Sequence, residues 1–320
     1  MTFRRILVTG ANGFVGRAIV LRLLRDQILT PVAAVRSVSS LSGLCPTAIF
    51  DLASEKELPE LEAIDVVIHA AARVHVMEES SPDALSAFRK VNVDGTVRLA
   101  RKAAQCGVRR FIFISSIKVN GEITLPGHPF KADDVPAPQD PYGISKLEAE
   151  QALRSIGRET GMEIFIIRPP LVYGPGVRAN FQRIMSVLTR RLPLPMGSID
   201  NRRSLVGINN LVDLVVTCVD HDAARNQIFL VSDDKDLSTS ELLRCLQATI
   251  GRKALLLPFP EVLLTGVLRL FGMGSVSQRL CGSLQVDISQ TKKILDWSAP
   301  YSPEKELQKT ALKFLEFTND

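Results

Sequence analysis

Arg5-Ile6-Leu7-Val8-Thr9-Gly10-Ala11-Asn12-Gly13-Phe14-Val15-Gly16 is the stretch on which the fold turns. A short unbroken apolar run reads as a strand buried on both faces. Glycine then permits a tight turn. From Gly13 to Asp26 the apolar residues Phe14, Val15, Ile19, Leu23 and Leu24 recur at helical spacing. Strand, glycine turn and helix in that order make a place where backbone N–H groups and a helix N-terminus can meet an anion.

The same alternation continues outward. Pro31–Val35, Ala48–Phe50 (ending at Asp51), Val66–Ile68, Phe111–Ile114 and Ile164–Ile167 read as further strands, with helices expected over 83–106 and 142–160. Continuous apolar strands separated by helices predict a doubly wound α/β fold, a parallel Rossmann sheet covered on both faces, with ligands at the carboxyl ends of its strands. After Pro169-Pro170 the pattern loosens, and residues 178–203 carry six arginines against the single acid Asp200. A helix is expected over Leu211–Val219, a strand over Gln227–Val231 and a mostly helical tail over 238–320. The expected organisation is a dinucleotide-binding domain at 1–172, with late elements from about 205–234, interleaved with a smaller lobe at 173–320.

Composition narrows the function classes. Of 320 residues 46% are hydrophobic and 23% charged, which excludes a disordered chain. Five scattered cysteines form no CxxC pair and four histidines no HExxH spacing, so neither a disulfide framework nor a protein-built metal site is expected. The net charge of +5 comes without a long basic run or a reader motif, so no nucleic-acid partner is expected. The first ten residues are too short for a signal-peptide core, and a cytoplasmic protein is expected. Residues 254–272 are apolar but hold Pro258, Pro260, Glu261, Gly266 and Arg269, which makes a poor spanning helix. A packed helix is expected there, with a helix lying on a membrane surface as the alternative.

Two further features carry chemistry. About 20 residues after Gly16, where an NAD enzyme places an acid on the ribose hydroxyls, the sequence has Arg36. A guanidinium there can pair with a 2′-phosphate, so NADP(H) is favoured and NAD(H) kept as the alternative. Tyr142 and Lys146 lie at i and i+4 on one helix face, where the ammonium is expected to lower the phenol's pKa. Ser115-Ser116, ending a strand, would converge on the same sheet edge.

Together these segments resemble the extended short-chain dehydrogenases/reductases of the nucleotide-sugar epimerase, dehydratase and reductase group. The resemblance covers nearly the whole chain: Val8-Thr9-Gly10, Asp51-Leu52, His69 to Ala72, Asn92 to Thr96, Ser115-Ser116, Tyr142 to Lys146, Arg168 to Gly176, Arg203 to Val206, Asn210 to Asp213 and Asp287 to Trp297. It implies a catalytic Ser116, Tyr142 and Lys146. It implies that Gly10, Asn12, Gly13, Phe14, Val15 and Gly16 hold the pyrophosphate and that Asp51 and Leu52 flank the adenine. Ala70, Ala71, Asn92, Lys146 and Pro170 would line the nicotinamide, and Lys118, Asn180 and Arg203 would meet a UDP-sugar. For Asp51, Asn92 and Asn180, capping or turn chemistry is the competing reading. Asn120 stands where the group usually has tyrosine. The resemblance also implies a homodimer.

Within the group, 4,6-dehydratases follow the triad serine or threonine with an Asp-Glu pair, whereas Ile117-Lys118 stand here, so that activity is not expected. Leu171 replaces an asparagine of typical 4-epimerases. The run Ala72 to Glu79, Ser116 to Glu122 and Asp133-Asp134 most resemble reductases of UDP-4-keto-6-deoxy-N-acetylhexosamines. Those serve bacterial surface polysaccharide and O-antigen synthesis, as in the making of UDP-N-acetylquinovosamine. NADPH-dependent 4-keto reduction is thus the leading expectation. A UDP-sugar 4-epimerase with tightly held NAD is the alternative, and a non-catalytic NADP-sensing protein the further one.

Overall fold

The computed structural model describes residues 4–27, 29–37, 40–54, 58–74, 83–178, 180–190, 192–222, 225–251 and 254–319. In chain order the first elements are β1 (Arg4–Thr9), α1 (Phe14–Asp26), β2 (Leu29–Val35), β3 (Thr47–Ile49), β4 (Val66–His69) and α2 (Ala84–Arg89). A π-helical turn at Lys90–Gly95 leads into α3 (Thr96–Gln105), β5 (Arg110–Ile114), α4 (Pro141–Thr160), β6 (Glu163–Arg168) and β7 (Leu171–Tyr173). There follow α5 (Asn180–Thr189), β8 (Leu205–Gly207), α6 (Ile208–Asp220), β9 (Ile228–Leu230) and α7 (Thr239–Ile250). The tail holds α8 (Glu261–Leu270), α9 (Gly274–Cys281), α10 (Ser289–Leu295) and α11 (Pro303–Asn319).

The main sheet has the order β3-β2-β1-β4-β5-β6-β9, and every pairing in it is parallel. Chain order reverses between β1 and β4, the switch point at which a doubly wound sheet opens a crevice. Register aligns the ends: Thr9 lies beside both Ala34 and His69, His69 beside Phe113, and Ile114 beside Ile167. Gly10, Ala70 and Ser115 therefore leave the sheet at one edge. Separate cores cover its two faces, one under α1 and α6 and the other under α3 and α4. A third core, built from Phe181, Met185, Leu242, Leu246 and Leu307, fills the smaller lobe.

Local signals explain the boundaries. Asp140 caps α4, accepting a 2.7 Å hydrogen bond from the Gly143 N–H, and Pro141 occupies the first turn. A capping box of Ser238 and Glu241 starts α7. The helix expected over 83–106 is one stretch interrupted by the π-helical turn. Such turns re-aim a side chain, and this one lets buried Asn92 reach sideways. The strand expected over Gln227–Val231 forms as β9 and joins the main sheet beside β6, whereas β8 pairs with β7 in a separate two-stranded sheet. The tail returns to the large domain, where Trp297 Nε1 donates to Asp213 at 3.0 Å and packs in the α1–α6 core. Among the described residues no helix is long and apolar enough to cross a membrane, and no cluster of metal-binding side chains occurs.

His69, ending β4, is fully buried between the hydroxyls of Thr9 (2.7 Å) and Thr96 (2.9 Å) and stacks on Phe113. Burial, aided by the charge of Lys146, pushes its pKa from 6.5 down to about 3. The unfolded chain binds a proton below 6.5 that the folded chain refuses, so stability falls as pH drops through this window. Moving from about pH 7.5 to about pH 5 is expected to remove about 2 kcal/mol through this residue. Urea midpoints for the wild type and His69→Gln at both pH values check it: the variant's pH dependence should be smaller by that amount. Equal dependences would contradict the assignment.

Candidate active site

At the switch point Gly10 adopts φ +65°, a conformation that favours glycine, and a Cβ there would lie 2.8 Å from the Ala71 backbone. A Cβ on Gly16 would approach the Gly10 carbonyl oxygen to 2.2 Å, so the helix can sit this close to the turn only with glycine. Asn12 and Gly13 are exposed; Phe14 and Val15 are half-buried. Gly13 caps α1 without a side-chain hydrogen bond, and the first turn holds no acid. Those N–H groups need acceptors. The turn therefore fits the pyrophosphate of a dinucleotide, which would satisfy them and draw on the helix dipole.

Around it, Arg36 and Ser37 follow β2 on the exposed surface. Asp51 folds back in an Asx turn, accepting from the Ala53 N–H at 3.0 Å, with Leu52 buried beneath it. Ala70 and Ala71 are half-buried and Pro170 is buried. Asn92 is buried with its amide already committed: Oδ1 accepts from the Arg73 N–H (2.8 Å), while Nδ2 donates to the Arg73 carbonyl (3.1 Å) and to Ser145 Oγ (3.0 Å). It thus ties the strand-end loop to α4. The run from Ala72 to Glu79 lies beyond residue 74 outside the described residues.

Ser116, Tyr142 and Lys146 come together one strand further along. Ser116 follows β5, accepts a hydrogen bond from the Lys118 N–H at 3.2 Å, and its side chain pulls the Tyr142 pKa down. Tyr142 sits in the first turn of α4, edge-on to Phe88. Lys146, one turn later, is buried with Nζ 4.1 Å from the centroid of the Phe113 ring. The expected lowering of the phenol's pKa is not what the site imposes. Burial and the negative charge of Asp140 push Tyr142 up to about 12, against a downward pull from Ser116. Burial brings Lys146 down to about 7, with Glu150 pulling the other way. Desolvation outweighs the attraction of two groups on one helix face. The phenol is protonated at neutral pH, and the amine beside it exchanges its proton there.

Lys118, expected to meet the substrate, has its ammonium held by Asp140 and by Glu122 (3.0 Å). Asp140 is thereby cap, counter-ion and electrostatic neighbour of Tyr142. Asp140→Asn keeps the cap and leaves Glu122 to hold Lys118. The variant should lower the Tyr142 pKa and move the limb of the kcat/KM profile that Tyr142 sets to lower pH; an unmoved limb would contradict this. Arg203 is half-buried, with Nη1 donating to the carbonyls of Gly282 (2.9 Å) and Arg279 (3.2 Å), and burial lowers its pKa against the opposing charge of Glu122. Asn180 opens α5; its side chain lies outside what the structure describes.

Sequence reasoning missed what lies behind the serines. Ser115 donates to Glu150, which accepts two hydrogen bonds from Arg168 (3.0 and 2.6 Å). Arg168 also donates to Asn120 Oδ1 at 2.9 Å, and Asn120 Nδ2 donates to the Lys131 carbonyl at 2.8 Å. Asn120, in the usual tyrosine's place, is thus part of a buried polar network supporting the loop that carries Ser116. The sequence offered one hint and no partner: an arginine ending an apolar strand needs an acid, but spacing does not say which.

The family profile described as "NAD dependent epimerase/dehydratase family" matches residues 6–232. UDP-glucose 4-epimerase of Vibrio cholerae is 47% identical over 319 residues, covering 99% of this chain and 97% of that protein. GDP-6-deoxy-D-mannose reductase of Pseudomonas aeruginosa is 27% identical over 254 residues, covering 76% and 79%. Among solved structures, UDP-glucuronic acid 4-epimerase from Bacillus cereus in complex with NAD superposes with a TM-score of 0.80 at 21% identity, over 98% of this chain and 99% of that one. That last likeness establishes the shared fold.

Proposed function

Because the chain belongs to the NAD-dependent epimerase/dehydratase family, we propose that it is an NAD(P)-dependent enzyme that inverts the C4 hydroxyl of a UDP-hexose. The observation that carries this is the end-to-end 47% identity to a UDP-glucose 4-epimerase. It favours the alternative over the reductase that the sequence motifs put first.

In this reading the turn from Gly10 to Gly16 holds the pyrophosphate, and Arg36, Asp51 and Leu52 surround the adenosine half. Ala70, Ala71 and Pro170 border the nicotinamide. Bound NAD(P) supplies the acceptor and donor of the C4 hydride. When Lys146 is neutral it takes the phenol's proton, and the Tyr142 phenolate so formed takes the proton from the C4 hydroxyl and later gives one back to the C4 oxygen, while Ser116 holds that oxygen by a hydrogen bond. Lys146, titrating near neutrality beside a phenol that resists ionising, makes the two a coupled pair and tempers the charge on Tyr142. Positioning and charge stabilisation supply most of the acceleration. Arg203, beside Glu122 at the mouth of the lobe, meets the substrate diphosphate.

A second reading, the NADPH-dependent 4-keto reductase, is favoured by one observation: β2 is followed by exposed Arg36 and not by the carboxylate that suits an NAD ribose. Protonated Tyr142 would serve as its proton donor. Product NMR separates the two. UDP-glucose or UDP-N-acetylglucosamine alone should yield the 4-epimer with no net cofactor change. A reductase leaves both untouched and consumes NADPH only when given a 4-keto-6-deoxy sugar. Inertness toward all three would overturn both readings.

A further inference from the structure

The helical hairpin of α8 and α9 faces water with the side that a helix normally hides. Leu264 is the buried anchor of α8, whereas Val262 and Leu270 are each 83% exposed and Phe271 is 71% exposed, with Leu263 and Val267 also outside. These positions share one helix face (262, 263, 267, 270), so the exposure is a stripe and not scattered residues. Isolated exposed apolar residues need no explanation, but a contiguous stripe marks a docking surface.

Its charge names the partner. Between residues 244 and 282 the sequence holds five bases, Arg244, Arg252, Lys253, Arg269 and Arg279, against one acid, Glu261. Arg244, Arg269 and Arg279 are exposed. Arg269 stands on the apolar face of α8 itself, one residue before Leu270 and two before Phe271. Apolar side chains interleaved with bases suit the boundary between anionic headgroups and acyl chains, where the first enter and the second stay at the phosphates. A second protein would have to cover these bases with carboxylates, and the opposite surface of another copy of this chain, whose charge is +5, is poorly placed to supply them. At ten residues α8 is far too short to span a bilayer.

We propose that α8 and α9 dock this protein peripherally on an anionic membrane surface. Because the Arg279 and Gly282 carbonyls at the end of α9 hold Arg203, docking turns the mouth of the sugar lobe toward the bilayer. The proposal does not depend on which C4 reaction the site performs.

Flotation of the full chain with vesicles tests it. The protein should float with phosphatidylcholine mixed with phosphatidylglycerol, stay down with phosphatidylcholine alone, and be released by salt. The double variant Leu270→Glu/Phe271→Glu should lose at least about tenfold in vesicle affinity, with unchanged thermal unfolding and unchanged turnover of a soluble UDP-sugar. Arg269→Gln should weaken binding less and reduce its salt dependence. Absence of flotation with anionic vesicles, or equal flotation with phosphatidylcholine alone, would overturn the proposal. So would a change of oligomeric state in the double variant, seen by light scattering, without any loss of vesicle binding.

Discussion

Tyr142→Phe is expected to lower kcat by about 10²–10⁴-fold and leave dinucleotide affinity within about threefold of wild type, the size of change set by contacts it does not remove. The substitution deletes only a hydroxyl. The ring stays edge-on to Phe88, and the Asp140 cap and the buried Lys146 are untouched. What is lost is the hydroxyl to which the proposed function gives the proton transfer at the C4 oxygen. Lys146→Met should cost a similar factor in kcat, because the amine that titrates near neutrality is half of the coupled pair. Fluorescence titration with nucleotide, beside initial rates, separates binding from chemistry. Wild-type rates in Tyr142→Phe would remove this residue from the mechanism.

The largest loss of stability is expected from Arg168→Met, about 3–5 kcal/mol. Arg168 and Glu150 are each 2% exposed. Removing the guanidinium leaves a buried carboxylate with only Ser115, and leaves Asn120 Oδ1 without its donor. Arg168→Lys keeps the charge but not the two-pronged geometry and should fall between. Urea unfolding of both variants checks the order. A loss below about 1 kcal/mol in Arg168→Met would mean that the network is as weak as a surface ion pair.

How much the sequence disclosed differed by level. The parallel sheet and its strands were legible from Ile6-Leu7-Val8, Val66 to Ile68 and Ile164 to Ile167, because a strand buried on both faces has no polar residues to confuse its reading. The glycine turn was legible because Gly10 and Gly16 are dictated by a φ and by a close approach, respectively. The meeting of Ser116 with Tyr142 followed once parallel strands fixed a common edge. Long-range polar pairing was not legible. Nothing in spacing tells that Lys118 turns to Asp140, that Asn92 grips the Arg73 backbone, or that β8 leaves the main sheet for β7. The sign of the Tyr142 shift was misread for the same reason: spacing reveals the attraction along a helix but not the desolvation around it.

Most direct of all is the fate of the hydrogen on carbon 4 when wild-type protein acts in deuterated water. If Tyr142 moves only the oxygen-bound proton, the product, whether epimer or reduced sugar, should carry no solvent deuterium at C4, as read by proton NMR. Deuterium incorporated at C4 would mean that the carbon itself exchanges protons with the solvent, and the chemistry assigned to Ser116, Tyr142 and Lys146 would be wrong.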